Sequence, residues 1–413
     1  MTITGKTDPL TAPTGATPRQ PEPRQMILAA FLVTAVFALS NSPTPLYVRW
    51  QAQLGFSAGT LTLIFAAYIA GLLLTLLVAG QLADRLGRKP VLIPGLVLAI
   101  VACFLFAIAD SVLVLGIARF LTGIAVGVIV SAGMAAVVDL GGSARKRQAS
   151  LAASVAMVLG AGLGPLLAGI FAQVFPEPVV PLFTTELVIL ACALIVAGAL
   201  PLKRHHVRAG REDAVKRTWR LPHVPHQYRM HLVFGIAVFA PGITATSFVL
   251  SLGPSLLAKL LNISSPLIAG GMACIMFLTA TGVQFAVSRL HLRTIFMLGA
   301  TATIAAMITL VIAVNASLAE FLVASAALAG AGQGLGQLGG LTLIGTHVPG
   351  NHRAEANSVL NIGGYIPAGL IPVATGFLID TVGLGAGATV FAVILGAASM
   401  AALTFVHRRL QRS

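Results

Sequence analysis

Long apolar stretches alternate with short polar connections along most of the 413-residue chain. A helix needs about 20 apolar residues to cross the hydrocarbon core of a bilayer, and twelve stretches reach that length. The two-residue alternation that is typical of membrane β-barrel strands is absent, so helices are the predicted spanning elements. The predicted spans are 26–48, 59–80, 91–109, 112–140, 147–172, 181–201, 232–257, 266–288, 293–314, 318–346, 355–380 and 384–406.

The composition supports a polytopic membrane protein. Hydrophobic residues make up 57% of the chain and charged residues 9%, whereas soluble domains carry about 25% charged residues. Lys and Arg outnumber Asp and Glu by 26 to 12. These bases lie between the apolar stretches, where membrane topology explains them, so nucleic-acid binding is not expected. Cys103, Cys192 and Cys274 lie within apolar stretches without metal-ligand spacing, and we interpret them as small core residues.

The basic residues are distributed unevenly between the two sets of connections. Twenty-three of the 26 fall on one side of the predicted membrane. Arg49 and Lys259 fall on the other side, and Arg119 lies within span 4. The positive-inside rule therefore predicts that both termini are cytoplasmic. We expect a multi-pass protein of the cell membrane, the inner membrane in a bacterium. Residues 1–25 are then a disordered cytoplasmic tail before an uncleaved first helix, and residues 408–413 a second tail.

The spans divide six and six at a polar segment, residues 202–231. We predict that this segment is a cytoplasmic linker between an N-terminal bundle, 26–201, and a C-terminal bundle, 232–407. An offset of 207 residues aligns helix-breaking residues of the two bundles, which favours internal duplication. A duplicated body of six plus six helices suits alternating access about a site near the membrane midplane. The aligned pairs are Gly123 with Gly330, Gly127 with Gly334, Gly133 with Gly340, Gly162 with Gly369, Pro165 with Pro372, and Gly169 with Gly376.

The linker is rich in histidine. A metal site would need a firm ligand spacing, such as two histidines four residues apart on one helix, together with cysteine or carboxylate ligands. The linker lacks both features, so we predict no metal site and interpret it as a solvated basic loop that can contact anionic lipid headgroups. The histidines concerned are His205, His206, His223, His226 and His231.

The connection between spans 2 and 3 concentrates charge in the sequence GQLADRLGRKP, residues 80–90. It resembles motif A of the major facilitator superfamily, G-x-L-a-D-r-x-G-r-k. The resemblance implies an all-α fold of twelve transmembrane helices in two pseudo-symmetric six-helix bundles. It also implies a conformational latch, in which Asp84 faces basic side chains or the N-terminal end of a helix of the other bundle. The matching residues are Gly80, Leu82, Asp84, Arg85, Gly87, Arg88 and Lys89.

Two glycines and a second acid complete the expected latch. Gly80 would allow a helix of the other bundle to approach closely, and Gly87 would permit a tight turn. Asp139, at the end of span 4, is similar to the acid that pairs with the arginines of the motif. The alternative is that the three bases only anchor the topology and that Asp84 is a local counter-ion.

Spans 4 and 5 resemble two further motifs of the superfamily. Arg119 and Gly123 match motif B, R-x-x-x-G, which implies a role in proton coupling or substrate-linked charge. The alternative is that Arg119 snorkels to the membrane edge. Span 5 matches motif C, a helix-bending motif associated with proton-driven exporters, which is the main reason to predict efflux. The matching residues are Gly160, Gly164, Pro165 and Gly169, with Ala168 in place of one glycine.

The acid that would carry a proton is less obvious. Many drug–proton antiporters have an acid within span 1, and this chain has none there. Glu186, about five residues into span 6, is the deepest membrane-associated acid and is the candidate for proton coupling. The alternative is an interfacial carboxylate in contact with water.

Polar residues within the spans indicate where a substrate could bind. Residues 41–45 interrupt span 1, and 240–247 are predicted to interrupt span 7 at a comparable depth. Paired interruptions in corresponding helices indicate a transport site. The alternative is that the polar side chains only join helices together. The residues predicted to line a largely aliphatic cavity are Asn41, Thr44, Gln333, Gln337, Asn361 and Tyr365.

The leading prediction is a secondary active transporter of the antiporter type, which exports small amphipathic organic molecules or drugs in exchange for protons, as a monomer without a cofactor. One alternative is an importer or facilitator of a sugar or organic acid. An alternative of another class is a non-transporting membrane receptor. No P-loop, H-E-x-x-H or G-x-S-x-G pattern occurs in its required context, so neither ATP use nor an enzymatic activity is predicted.

Overall fold

The structure, a computed structural model, describes residues 23–142, 145–202, 225, 228–263, 265–287, 289–349 and 352–409, of which 84, 354 and 409 are described by their backbone alone. Most of the predicted linker, residues 1–22 of the predicted N-terminal tail and residues 410–413 of the C-terminal tail lie outside these residues. Within them, twelve helices are long and apolar enough to cross a membrane. This confirms the number of spans, and their positions agree with the prediction to within a few residues.

Fourteen α-helices account for the twelve spans in the described part of the chain, because spans 1 and 4 each contain two. They are α1 (Pro23–Asn41), α2 (Tyr47–Leu54), α3 (Ala58–Leu86), α4 (Lys89–Ala107), α5 (Val112–Val128), α6 (Met134–Gly141), α7 (Lys146–Val174), α8 (Val179–Ala199), α9 (Arg229–Ser255), α10 (Pro266–Ala286), α11 (Leu292–Ala316), α12 (Ala319–His347), α13 (Arg353–Val382) and α14 (Leu384–Arg409). A 3-10 turn at 44–46 joins α1 to α2, and a π-helical turn at 129–133 joins α5 to α6.

The helices of each half pack mainly on one another. In the N-terminal half α1 packs on α7, α3 on α5, and α4 on α5 and α8; in the C-terminal half α9 packs on α12 and α13, and α11 on α12 and α14. Among the described residues, the two most extensive helix contacts between the halves are those of α3 with α13 and of α7 with α10. The fold is therefore two pseudo-symmetric bundles of six membrane-spanning helices.

Close glycine contacts repeat between the bundles. A methyl group at Gly123 would overlap the carbonyl oxygen of Tyr68 on α3, and one at Gly330 would overlap the carbonyl oxygen of Met276 on α10. Because glycine has no side chain, the two backbones can approach this closely. Small residues allow the same close approach between membrane helices in general. The same pair of helices is therefore packed in the same way in both halves, which supports the duplication.

Successive spans run in opposite directions, so the loops form two faces. We call the face formed by the α3–α4, α6–α7, α10–α11 and α12–α13 loops the basic face, because most of the bases lie there. The other is the opposite face.

Two sequence predictions are wrong. Span 7 is not interrupted at 240–247, because α9 continues through Pro241 and becomes a π-helical turn only at 256–260. Proline removes one backbone donor, and threonine hydroxyls can reorganise the hydrogen bonding around it: Thr244 donates to the carbonyl of Ala240 at 2.7 Å.

Cys192 is not a core residue, since it is exposed on α8, whereas Cys103 is buried and Cys274 half-buried.

Candidate functional site

The predicted interruption of span 1 is present, and it organises the site. Helix α1 ends at Asn41, and Thr44–Leu46 form a 3-10 turn before α2 begins at Tyr47. Pro43 and Pro45 cannot donate backbone hydrogen bonds, which explains why the α-helix stops here. The backbone around the break is therefore available to side chains from neighbouring helices.

Arg119 of α5 reaches this break from inside the N-terminal bundle. Its side chain is 1% exposed, and Nη1 donates to the carbonyl of Ser40 at 2.5 Å while Nε donates to the hydroxyl of Tyr47. The guanidinium also lies 5.0, 5.6 and 5.9 Å from the ring centroids of Tyr47, Phe65 and Phe106. The snorkelling alternative is wrong, because the charge points into the protein and is stabilised by dipoles and aromatic faces.

Glu186 of α8 reaches the same break. It is 2% exposed, and its Oε1 accepts a hydrogen bond from the hydroxyl of Ser42. Its Oε2 is buried and has no hydrogen-bond partner among the described residues. The interfacial alternative is therefore wrong as well. Ser42 also donates to the carbonyl of Ala38 at 2.9 Å, so its hydroxyl is shared between the backbone of α1 and the acid.

An aromatic cluster covers this group of polar side chains. Trp50, Phe106 and Phe183 stack on one another, with ring centroids 5.3–6.3 Å apart. Trp50 and Phe183 are almost fully buried, and Phe183 lies one turn from Glu186 on α8. The carboxyl group is thus held in an apolar environment.

The group formed by Ser40, Ser42, Tyr47, Arg119 and Glu186, which we call the buried polar cluster, exists in one half only. At the offset of 207 residues, Ser42, Tyr47, Arg119 and Glu186 correspond to Val249, Pro254, Ala326 and Val393. The duplicated bundle has replaced every one of these four by a residue without a charge or hydroxyl. The chemistry of the cluster is therefore specific to the N-terminal bundle.

The motif A loop adopts a compact structure at the basic face. Gly87 ends α3 with φ of +94°, a conformation that side chains rarely adopt. Arg88 Nε lies 3.3 Å from Asp139 Oδ2, and Lys89 Nζ donates to the carbonyl of Gly198 at the end of α8. The side chain of Asp84 lies outside the described residues.

Gly80 departs from the prediction. A methyl group at this position would meet no atom of the described residues within 4 Å, so none of the described helices approaches Gly80 closely in this conformation. The contact expected of the latch is not made at this residue here.

The motif C segment of α7 packs on two helices. Methyl groups at Gly160 and Gly164 would overlap carbonyl oxygens of Thr34 and Ala38 on α1. On the other side, a methyl group at Gly169 would lie 2.7 Å from the carbonyl oxygen of Pro266 on α10. Helix α7 continues through Pro165. The motif thus joins α1 in its own half to α10 in the other half.

The predicted cavity residues occupy less uniform environments. Gln333, Gln337, Asn361 and Tyr365 are half-buried, and the Tyr365 ring lies edge-on to Phe239 at 6.4 Å. The two residues of span 1 are more enclosed. Asn41 donates to Ser40 Oγ at 2.8 Å, while Thr44 Oγ1 and Gln333 Oε1 are buried without partners.

No three side chains of the metal-binding types come together in the described part of the chain. His231 stacks on His347 at 4.6 Å, and the other four linker histidines lie outside the described residues. No metal or cofactor role is assigned to this pair.

Comparison with known proteins agrees with this architecture. The family model described as Major Facilitator Superfamily matches residues 26–314 and 283–413. The chain belongs to the major facilitator superfamily. As in other members of this superfamily, its twelve spans form a membrane transporter.

Individual relatives share less. Multidrug resistance protein MdtL of Escherichia coli O139:H28 (strain E24377A / ETEC) is 40% identical over 79 residues, which is 19% of this chain and 20% of that protein. MdtL of Shigella boydii serotype 18 (strain CDC 3083-94 / BS512) gives the same values. The similarity thus spans about a fifth of the length of these relatives. A mutant of the nucleoside transporter NupG superposes with a TM-score of 0.69 at 12% identity, covering 93% of this chain and 99% of that one, which shows the fold alone.

Sequence reasoning missed Ser42 and Tyr47 as the hydrogen-bond partners of Glu186 and Arg119. Both are polar residues of the span 1 break, but nothing in the sequence shows which of its polar groups face α5 and α8. The only signal in the sequence was that span 1 contains polar residues but no acid, so that a carboxyl group near the break had to come from another span.

Proposed function

We propose that this major facilitator is a proton-coupled exporter of small amphipathic organic molecules that resides in the cell membrane with its basic face in the cytoplasm. The buried contact between Glu186 and Ser42 is the observation on which the proposal depends. In this contact an ionisable group lies beside the interrupted segment of span 1. Transport sites are typically formed by such discontinuous helices.

The surroundings of Glu186 favour proton exchange. Burying an isolated carboxylate is costly, and a protonated carboxyl group with a hydroxyl partner costs less. In the structure its Oε2 has no partner, and neither has Arg119 Nη2 on the other side of the break. Loss of the proton would therefore oblige Glu186 to find a donor or water, and a movement of residues 40–47 would supply either. Proton binding and the conformation of span 1 are coupled in this way.

Two observations support export over import. The motif C segment of α7 contacts both α1 and α10, and this motif is associated with proton-driven exporters. The partial similarity to multidrug resistance protein MdtL also favours export. The likeness to NupG does not favour import, because at 12% identity it concerns only the fold.

The contacts between the halves define the conformational state. Those at Asp380, Gly169 and Gly376 lie near the opposite face, whereas Gly80, near the basic face, meets open space. We infer that the structure represents the state that is closed at the opposite face and accepts solute from the basic face.

The test is Glu186→Gln, which mimics the permanently protonated group. A sensitivity screen first identifies an exported compound: amphipathic dyes and drugs are tested on a strain from which this transporter has been deleted. In proteoliposomes, the variant should lose export driven by a proton gradient while retaining solute exchange without a gradient. Glu177→Gln removes an exposed acid of the opposite face and is the matched control. Gradient-driven export by Glu186→Gln at the normal rate would refute the coupling role.

A second readout does not need a known substrate. The infrared carbonyl band of a protonated carboxyl group should be present in the parent and missing in Glu186→Gln. An unchanged spectrum would show that Glu186 carries no proton in this state.

A further inference from the structure

Asp380, at the opposite face, holds the two halves together through backbone hydrogen bonds. Its Oδ1 accepts from the backbone N–H of Ala58 at 2.9 Å, and its Oδ2 accepts from that of Gly59 at 3.0 Å. Ala58 and Gly59 are the first two residues of α3 in the N-terminal half, whereas Asp380 belongs to α13 of the C-terminal half. A carboxylate of one half therefore caps a helix of the other.

The capped helix start is complementary to a carboxylate. The first N–H groups of a helix lack partners within the helix, and the aligned peptide dipoles favour negative charge there. Ser57 of the same half satisfies the N–H of Thr60 at 3.2 Å, which leaves the first two donors for Asp380. Both of its oxygens are used, so the contact is charge-assisted and bidentate.

Tight packing brings the two helix ends together. A methyl group at Gly59 would lie 2.6 Å from the Phe377 ring and 2.8 Å from Asp380 Oδ2, and one at Gly376 would lie 2.8 Å from the carbonyl oxygen of Ala58. Glycine at 59 and 376 is therefore required for the carboxylate to reach the backbone of α3.

The equivalent helix pair in the duplicated structure lacks the cap. Gly169 on α7 contacts the carbonyl of Pro266, the first residue of α10, as Gly376 contacts the carbonyl of Ala58. Gln173 lies one turn after Gly169, where Asp380 lies one turn after Gly376. Pro266 has no N–H to donate, and Gln173 has no charge. The cap is therefore present at one of two equivalent contacts.

The position of Asp380 mirrors that of the motif A acid. Asp380 is the third residue from the C-terminal end of α13, and Asp84 is the third residue from the C-terminal end of α3. These two helices pack on each other across the halves and run in opposite directions. The two acids thus lie at opposite faces of one helix pair.

We propose that Asp380 is a positioning residue of the transport cycle, which stabilises the state closed at the opposite face by capping α3 across the two halves. This inference rests on alternating access, which belongs to the proposed function, but not on protons or on the direction of transport. Opening of the opposite face breaks both hydrogen bonds, and solvent then hydrates the carboxylate and the two N–H groups.

The experiment measures how often the opposite face opens. Thr62 on α3 is 1% exposed and adjoins Gly376, so a cysteine there is reached only when α3 separates from α13. In a background without Cys103, Cys192 and Cys274, the rate at which a polar maleimide labels Thr62→Cys reports the population of the open state. Asp380→Ala should raise that rate by about 2- to 10-fold, which corresponds to the loss of a helix cap.

Two further variants make the result decisive. Gln173→Ala, at the equivalent position of α7, should leave the labelling rate unchanged. Gly59→Ala removes no charge but pushes α3 away from Phe377, and should raise the rate as Asp380→Ala does. An unchanged rate in Asp380→Ala would overturn the proposal. The labelling needs no substrate or proton gradient, so a failure of proton-coupled export would not alter its outcome.

Discussion

Arg119 carries a full charge inside the N-terminal bundle, and its neighbours are arranged to stabilise that charge without an acid. Placing an arginine at a membrane centre costs about 3 kcal/mol on insertion scales. A hydrogen bond to a charged group returns about 1.5–3 kcal/mol, and a desolvated aromatic face about 2 kcal/mol. Arg119 has the carbonyl of Ser40, the hydroxyl of Tyr47 and three rings. Two such hydrogen bonds and the aromatic faces return about 5 kcal/mol or more. Against this stand the insertion cost and the burial of Arg119 Nη2 without a partner among the described residues, which costs about a further 1–3 kcal/mol. The charge therefore adds little net stability.

This balance predicts different effects on stability and on transport. Arg119→Met keeps the volume and removes the charge, but it leaves the Ser40 carbonyl and the Tyr47 hydroxyl without their donor, so the free energy of unfolding should fall by only about 1–3 kcal/mol. Transport should nevertheless be lost, because the span 1 break loses the donor that holds Ser40 and Tyr47. Thermal unfolding in detergent and proteoliposome transport measure the two effects. Full transport by Arg119→Met would restrict Arg119 to a packing role.

At the scale of elements, glycines decide how close helices approach. Helices α7 and α10 meet through Gly270, where a methyl group would overlap the carbonyl oxygen of Pro165. One turn later, Cys274 Sγ would lie 3.3 Å from a methyl group at Gly162. By contrast, a methyl group at Gly282 of the same α10 would meet nothing within 4 Å. Similar glycines in one helix therefore have different roles, which depend on the neighbouring backbone.

Gly270→Ala should loosen the contact between the halves. Overpacking a close contact costs about 1–3 kcal/mol, so the melting temperature should fall. The native thiol of Cys274 should also react faster with a maleimide in a background where Cys103 and Cys192 are serine. Gly282→Ala should be neutral or stabilising by up to about 1 kcal/mol, since alanine favours the helix and meets no neighbour. Equal melting temperatures and equal thiol reactivity in the two variants would contradict the different roles assigned to Gly270 and Gly282.

At the scale of the whole molecule, α3 and α13 connect the two faces. Asp380 closes the opposite face through α3, while Gly80, near the basic face, meets open space. The motif A latch would form when the halves tilt and α13 approaches Gly80. The state described here and the latched state would then be the two end states of one tilting motion of the halves.

Gly80→Leu should therefore separate folding from transport. The Cβ of the leucine meets no described atom within 4 Å in the state described here, so membrane abundance and melting temperature should be preserved. It would block approach at the basic face, so transport should be lost and Thr62→Cys should be labelled more slowly than in the parent. Gly282→Leu also places a leucine in open space in the C-terminal half, and it should transport normally. Normal transport by Gly80→Leu would show that no helix comes close to Gly80 during the cycle.

Asp84→Asn tests the acid of the same latch. Transport should fall without a loss of membrane abundance, because the charge that favours the latched state is removed. Unchanged transport at normal expression would leave motif A as a topology anchor.

Some features of this protein follow from the sequence alone. Apolar stretches long enough to cross a bilayer fix the number and position of the spans, because an unpaired backbone cannot remain in hydrocarbon. The prolines at 43 and 45 fix the break in span 1. Aligned glycines indicate the duplication, and the backbone contacts of Gly123 and Gly169 recur at Gly330 and Gly376 in the other half.

Other features depend on which side chains and backbone groups the tertiary structure brings together. Glu186 is 144 residues from Ser42, and Asp380 is 322 residues from Ala58, so no local pattern could relate them. Pro241 was expected to interrupt span 7, but the helix continues because neighbouring hydroxyls and packing stabilise it. Hydropathy records how apolar a segment is, whereas the partner of each buried charge and each free N–H is decided only when helices distant in sequence pack together.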